Sequence, residues 1–145
     1  MTDIGCDLPD DNPPLENIKA ILESCETIAV VGISPKEDRD SHRVAKYLQG
    51  RGYKIIPLNP GQREILGERC YRTLMDIPVR IDIVNLFLNP VRVPPVVDQA
   101  IEIGAKVLWM QSGIVHREAA MKAREAGLTV VMSRCIMRDH MNSFV

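Results

Sequence analysis

Long apolar runs are missing from this sequence. None approaches the ~20 residues of a membrane-spanning helix, so a membrane is not an expected partner. Cysteine is sparse: Cys6, Cys25, Cys70 and Cys135 are four in number, and no two form a C-x-x-C pair, which speaks against a zinc ribbon or a thioredoxin-type centre. Neither sign of charge dominates. Eighteen basic and nineteen acidic side chains leave a net charge of -1, so no electrostatic reason exists to expect nucleic acid or an anionic bilayer. Histidine is equally scarce, at three; His42, His116 and His140 do not make a metal set, and Cys135 with His140 is too thin a start for one. The opening "MTDIGCDLPDDNPP" has no basic start and no apolar core, so it does not read as a signal peptide. A cytoplasmic protein with reduced thiols is the expectation. Two phosphate-binding fingerprints are absent as well: neither the Walker pattern nor the dinucleotide G-x-G-x-x-G occurs.

What is present fits one domain of 145 residues, long enough to bury a core without disulfides or metal. Residues 1–14 read as a tail and 15–145 as the folded domain. "LENIKAILESCE" sets Leu15, Ile18, Ile21 and Leu22 on one helical face. "TIAVVGIS" follows as a strand that is apolar on both faces, the mark of a parallel sheet covered on each side. A device then recurs three times: a helix ends at a glycine, and a continuous apolar strand follows. Gly52, Gly104 and Gly127 hold that place, where a left-handed residue closes the helix. A further strand is expected over 81–88, and the helix after it at "VPPVV", because proline suits a first turn. Residues 61–78 lack a long helix and predict a turn, short strands and one short helix. The total is a doubly wound α/β domain with about five core strands and helices on both faces.

In such a sheet ligands sit beyond the carboxyl ends of the strands, where strand order reverses. The loop "GISPKEDRDS" opens with Gly32, which admits close backbone approach. Ser34 adds a hydroxyl. Asp40 or Ser41 suits the N-cap of a helix running through Val44, Ala45, Tyr47 and Leu48, whose free amides favour an anion. Arg39 and Arg43 supply guanidinium groups suited to phosphate. "LNPGQRE" offers Asn59 to a ribose or phosphate, Pro60 at the turn, and Arg63 nearby. An asparagine closing the second strand, where a carboxylate would hold ribose hydroxyls, weakens the case for NAD. "WMQSGIVH" contributes Gln111 and Gly113, while Trp109 reads as core. The loop after the last strand reads as "RCIMRDH"; in it Cys135, flanked by Arg134 and Arg138, is the one candidate nucleophile, since positive neighbours favour thiolate.

The series "IAVVGIS", "RDSHRVAKYLQGRGYKIIPLNP", "EILGERCYRTLMDIP", "IDIVNLF", "AIEIGAKVLWMQSGI" and "AGLTVVMSRCI" resembles the small stand-alone CoA-binding proteins. These are similar to the CoA-binding domain of the succinyl-CoA synthetase alpha subunit. The resemblance runs from about Thr27 to Ile136. It implies a Rossmann-like fold that binds coenzyme A without the dehydrogenase glycine pattern. By that resemblance the first loop, with Gly32, Ile33, Ser34, Pro35, Arg39 and Ser41, holds the pyrophosphate region. Asn59 and Pro60 approach the adenosine part, and Gln111 and Gly113 border the pantetheine side. Arg63 is added from its position as a partner for the 3′-phosphate, and Phe87 is counted with the site. The chain departs from the family pattern at Leu88, which stands where relatives carry arginine after that phenylalanine, with Arg92 four residues on. His42 stands where relatives often carry tyrosine, and either meets an anion or faces solvent.

Three functional readings follow. The first is a non-catalytic protein that binds CoA or acyl-CoA and delivers it to, or senses it for, an unidentified protein partner. Synthetase relatives phosphorylate a histidine on a separate domain, for which 145 residues leave no room. The second is thiol or acyl chemistry at Cys135 with CoA as the thiol. The third is a nucleotide-dependent oxidoreductase, disfavoured by Asn59 and the missing glycines. A homodimer through the N-terminal helix is compatible with the pattern and not required by it.

Overall fold

The computed structural model describes residues 12–144; the bulk of the expected tail, with Cys6, lies outside the described residues. In chain order the elements are α1 (Leu15–Ser24), β1 (Thr27–Val31), α2 (Asp40–Gly50), β2 (Lys54–Leu58), a small hairpin of β3 (Glu64–Ile65) and β4 (Glu68–Arg69), β5 (Ile83–Leu86), α3 (Val93–Glu102), β6 (Val107–Met110), α4 (Arg117–Glu125), β7 (Thr129–Val131) and α5 (Ile136–Phe144). The five longer strands are parallel and lie in the order β2-β1-β5-β6-β7. Helices α1, α2 and α5 cover one face through Ile18, Leu22, Val44, Leu48 and Ile136. Helices α3 and α4 cover the other through Val93, Val97, Ala100, Ala120 and Ala123. This is the expected Rossmann-like, doubly wound domain, and the strand order reverses between β1 and β5.

Local chemistry explains the element boundaries. Gly52, Gly104 and Gly127 all take positive φ, at +100°, +71° and +97°, so each closes its helix and releases the chain into the next strand. Pro94 and Pro95 stand in the first turn of α3, where a missing amide breaks no intrahelical bond. Residues 61–78 hold the hairpin and a single 3₁₀ turn at Leu74–Asp76. Pro57 sits inside β2, yet β2 is an edge strand and the Pro57 carbonyl accepts from Tyr71 N on the outer side at 3.0 Å. The amide that proline lacks therefore lies on that same outer side, and the ladder to β1 loses nothing.

Three expectations are corrected. Leu15 is 66% exposed, because α1 packs through Ile18 and Leu22, with Ile21 half-buried beside them. "RCIMRDH", read as loop, carries the start of α5, whose buried stripe includes Ile136, Asp139 and His140. A histidine and an aspartate occupy core positions there, so apolar periodicity alone cannot reveal the helix. Tyr47 Oη lies 2.9 Å from His140 Nδ1 and ties α5 to α2; burial, with Arg51 beside it, holds the imidazole pKa below its usual value. Finally, Asn12, assigned to the tail, is anchored. Its side chain donates to Met132 O at 2.9 Å and accepts from Met132 N at 2.8 Å, imitating a strand partner at the end of the β7 edge.

The amino ends of the central strands are clamped by Asp82, which is 8% exposed. Its Oδ2 accepts from the amides of Glu26 at 2.8 Å and Thr27 at 3.2 Å, and Lys106 Nζ lies 3.6 Å from Oδ1. Burial raises the pKa of this carboxyl, but those donors and the ammonium outweigh it and hold it below the ordinary 3.8. A carboxylate with a lowered native pKa stabilises the fold above its unfolded pKa and loses that contribution as pH falls through the native value. Asp82→Ala is expected to cost about 1–3 kcal/mol at neutral pH, because it strands two amides. In urea unfolding the gap between wild type and variant should hold down to about pH 4 and narrow below it; a gap independent of pH through that range would refute the assignment.

Candidate functional site

At the carboxyl end of β1 the chain turns at Gly32, φ +86°. A Cβ there would collide with the carbonyl oxygen of Phe87, at the end of β5. The expectation that Gly32 makes room for a ligand is therefore incomplete: it first makes room for the neighbouring strand. The loop beyond is held by its own side chains. Ser34 N donates to Ser41 Oγ at 2.9 Å, and Lys36 N donates to Ser34 Oγ at 3.1 Å. His42, 6% exposed, lies under the loop with Nδ1 3.0 Å from Ser34 O. Since a carbonyl only accepts, that nitrogen carries the proton. Neither expected role of His42, meeting an anion or facing solvent, is the one observed; it fixes the loop from beneath.

The loop and the first turn of α2 enclose a corner pocket of about 650 Å³, walled by Gly32, Ser34, Arg39, Ser41 and Phe87, with Lys36, Asp38 and Asp40 completing the rim. Helix α2 starts at Asp40 with Arg39 at the N-cap position and no side-chain cap. Its first amides thus keep the positive end of the helix dipole open toward the pocket. Arg39 and Lys36 favour an anion there, whereas Asp38 and Asp40 oppose one. Asp40 is engaged by Arg43, so Arg43, expected to face a phosphate, is turned along the helix instead.

Beside the corner, across the β1–β5 reversal, runs a crevice of about 520 Å³. Gly32, Ile33, Asn59 and Pro60 line it together with Leu88, Val91, Val96, Arg72 and Arg92. The side chain of Ile33 is in the core at 1% exposure, and its carbonyl takes Asn59 Nδ2 at 2.9 Å. Asn59 Oδ1 in turn accepts from Gly61 N at 2.8 Å. The amide of Asn59 is thus used at both ends, tying the loop after β2 to the loop after β1. An aspartate could not donate to that carbonyl, which is a structural reason for an amide here. Leu88 and Val91, the latter 77% exposed, give the crevice an apolar wall where an arginine was the family expectation, and Arg92 reaches the same crevice.

A third hollow of about 530 Å³ continues from Asn59 and Pro60 past Arg63 to Arg69, Cys70 and Arg72. Arg69 lies over the Tyr71 ring, 5.1 Å from its centroid. Burial, and then Glu64 nearby, push the Cys70 thiol pKa up. Arg69 and Arg72 were not singled out from the sequence. Their signal was available, since "ERCYR" follows the turn, but only the hairpin folding back onto β2 brings them beside Arg63.

The remaining candidates line none of these three hollows. Pro35 is exposed on the loop. Gly113 N donates to Ser133 Oγ at 3.1 Å, and Ser133 itself takes a left-handed φ of +55°. Gln111, expected to offer its amide to a ligand, is 6% exposed; its Oε1 accepts from Asn85 Nδ2 at 3.1 Å and Ile136 N at 3.3 Å. Trp109 is core as expected, with Nε1 donating to Arg134 O at 2.8 Å. Cys135 is half-buried against the α2/α5 face. Its neighbour Arg134 makes a two-pronged pair with Asp139, both contacts 2.8 Å, so that charge is already compensated by a carboxylate. Among the described residues no cluster of three or more histidine, cysteine or acidic side chains could hold a metal ion, and no helix is long and apolar enough to cross a membrane.

Residues 26–141 match the CoA binding domain family. The chain belongs to that family. A relative, the uncharacterized protein YneT of Bacillus subtilis (strain 168), is 43% identical over 129 residues, which cover 89% of this chain and 96% of YneT. The ADP-forming acetate–CoA ligase of Methanocaldococcus jannaschii is 30% identical over 127 residues, 81% of this chain but 18% of the ligase; this chain corresponds to a small part of that enzyme. Among solved structures, a hypothetical protein from Pyrococcus horikoshii OT3 superposes with a TM-score of 0.91 at 43% identity, covering 100% of both chains. Family membership supports binding of CoA in general, and the solved relative shares the fold.

The Gly32 corner gives a direct test. Gly32→Ala is expected to destabilise the fold by about 2 kcal/mol or more, from positive φ and from contact with the β5 backbone. Chemical denaturation of wild type and variant reads this; a loss under about 0.5 kcal/mol, the range of neutral surface changes, would show that the corner relaxes freely and is not rigid.

Proposed function

We propose that the chain is a non-catalytic binding protein for coenzyme A or its thioesters. One observation supports this most: the three hollows adjoin one another in a row through shared lining residues. Gly32 belongs to both the corner and the crevice, and Asn59, Pro60 and Arg72 belong to both the crevice and the arginine hollow. Such a row suits a ligand with a diphosphate at one end, a flat apolar-edged base in the middle, and a further phosphate beyond. The diphosphate lies at the first turn of α2, where amides, the Ser34 and Ser41 hydroxyls and Arg39 favour it. The adenosine lies in the crevice against Pro60, Leu88 and Val96. The 3′-phosphate lies among Arg63, Arg69 and Arg72. That last group is what separates coenzyme A from ADP or NAD, so the arginine hollow carries the specificity.

No acyl or redox step is assigned to Cys135, because Arg134 is committed to Asp139 and the thiolate argument from the sequence loses its nearest cation. Nor does an oxidoreductase reading gain support, since Asn59 is committed to the two loops.

The reading predicts a selective loss. Arg63→Ala combined with Arg72→Ala should weaken CoA by about 10- to 100-fold in calorimetric titration, the worth of one or two charge-assisted hydrogen bonds. The same pair should change affinity for dephospho-CoA, which lacks the 3′-phosphate, by less than about threefold. Equal losses for both ligands, or no binding of CoA to wild type, would contradict the proposal.

A further inference from the structure

Away from the three hollows, α5 is joined to its neighbours through an aromatic cluster built around a histidine. His140 is 6% exposed. Its ring makes T-shaped contacts with Tyr47 and Tyr53, centroids 5.5 Å and 5.6 Å apart, and lies 4.7 Å from the Phe144 ring. Tyr47 belongs to α2 and approaches Nδ1 with its hydroxyl. Tyr53 follows α2 and donates from Oη to Leu22 O of α1. One imidazole therefore sits where three helices meet. A phenylalanine would serve the packing there and would never change charge.

The surroundings oppose a charge on this ring. Arg51, at the end of α2, lies over the Tyr47 ring, 5.8 Å from its centroid. Lys19 of α1 lies over Phe144, 5.7 Å from that centroid. On α5 itself the adjacent carboxylate, Asp139, is paired with Arg134. Glu23 of α1 acts on Tyr53: burial, then Cys25, Tyr47 and Glu23, push that phenol up, so it stays neutral while the imidazole titrates. On His140 burial comes first and Arg51 second, and both hold its pKa down. The Tyr47 contact survives in either state, because a hydroxyl both donates and accepts. What differs is the charge, which loses water and gains a cationic neighbour. Protons have a route in, since a hollow of about 440 Å³ lined by Gly50, Arg51, His140 and Phe144 reaches the ring.

We propose that His140 is a proton-sensitive latch: neutral, it holds α5 against α1 and α2; protonated, it lets α5 come away locally while the sheet and the α3–α4 layer stay folded. In released α5 the ring is in water, where it binds a proton more readily than inside the cluster. Acid therefore favours release, beginning near the ordinary histidine value of 6.5 and levelling off once the latched ring is charged too. Release also reaches the ligand edge, where α5 begins: the Ile136 amide donates to Gln111 Oε1, and Asp139 holds Arg134. The latch does not depend on what the corner pocket binds.

Hydrogen exchange read by NMR on the ligand-free chain, corrected for the intrinsic effect of pH on exchange, tests the latch. In wild type the opening constant of α5 amides should rise at least about threefold between about pH 7.5 and about pH 5. The α3 amides should change by less than about 1.5-fold over the same range. In His140→Phe, which keeps an aromatic ring and cannot take a proton, the rise in α5 should disappear. If that variant does not fold, wild type decides: the His140 imidazole resonances and the α5 opening constant should follow one pH curve. The latch is overturned if α5 opening is indifferent to pH, if it rises equally in the variant, if α3 opens together with α5, or if α5 opens over a range in which His140 does not titrate.

Discussion

The close passage of Gly32 over the carbonyl of Phe87 is the constraint on which the site depends. It brings the end of β1 against the end of β5 at the point where the strand order reverses. Because no side chain intervenes, the loop after β1 can lie flat over both strands and hand the chain to α2 with its first turn facing the pocket. A residue with a Cβ would lift that loop and separate the corner from the crevice. The left-handed φ and the absent side chain therefore serve one purpose, which is to make two hollows share a wall.

Around this passage most polar groups are spent on holding the protein to itself. Ser41 and His42 grip Ser34 from the helix side, Asn59 grips Ile33 from the β2 side, and Asp82 ties the opposite ends of the strands. Such a frame costs ligand contacts but makes the pocket rigid before anything binds, so less ordering is needed on association. Apart from Asp38 and Asp40 at the rim of the corner, the charged groups left facing the hollows are cations, chiefly Arg39, Arg63, Arg69, Arg72 and Arg92, together with the amides at the start of α2. The division is physical. Short polar side chains near the backbone build the frame, and long cationic ones reach outward to meet phosphate.

Much of the fold was legible because its signals are local. Glycines that close helices, prolines in a first turn and strands apolar on both faces each declare themselves within ten residues. The exceptions share one cause, which is that burial is decided by partners distant in sequence. His140 reads only as a thin metal candidate beside Cys135 until Tyr47, 93 residues away, is placed against it. Gln111 reads as a free amide until Asn85 and Ile136 close on its oxygen. Arg69 and Arg72 gain meaning only when the hairpin folds beside Asn59. Family resemblance pointed to loops at the carboxyl ends of the strands but could not say which of their side chains face inward.

The central claim is that the corner between Gly32 and the first turn of α2 holds the diphosphate of coenzyme A. A crystal structure at saturating CoA tests it most directly. The account predicts density for the diphosphate against the amides of Asp40 and Ser41, and for the 3′-phosphate within reach of Arg63 or Arg72. Bound CoA with its diphosphate elsewhere on the molecule, or an empty corner at saturation, would contradict it.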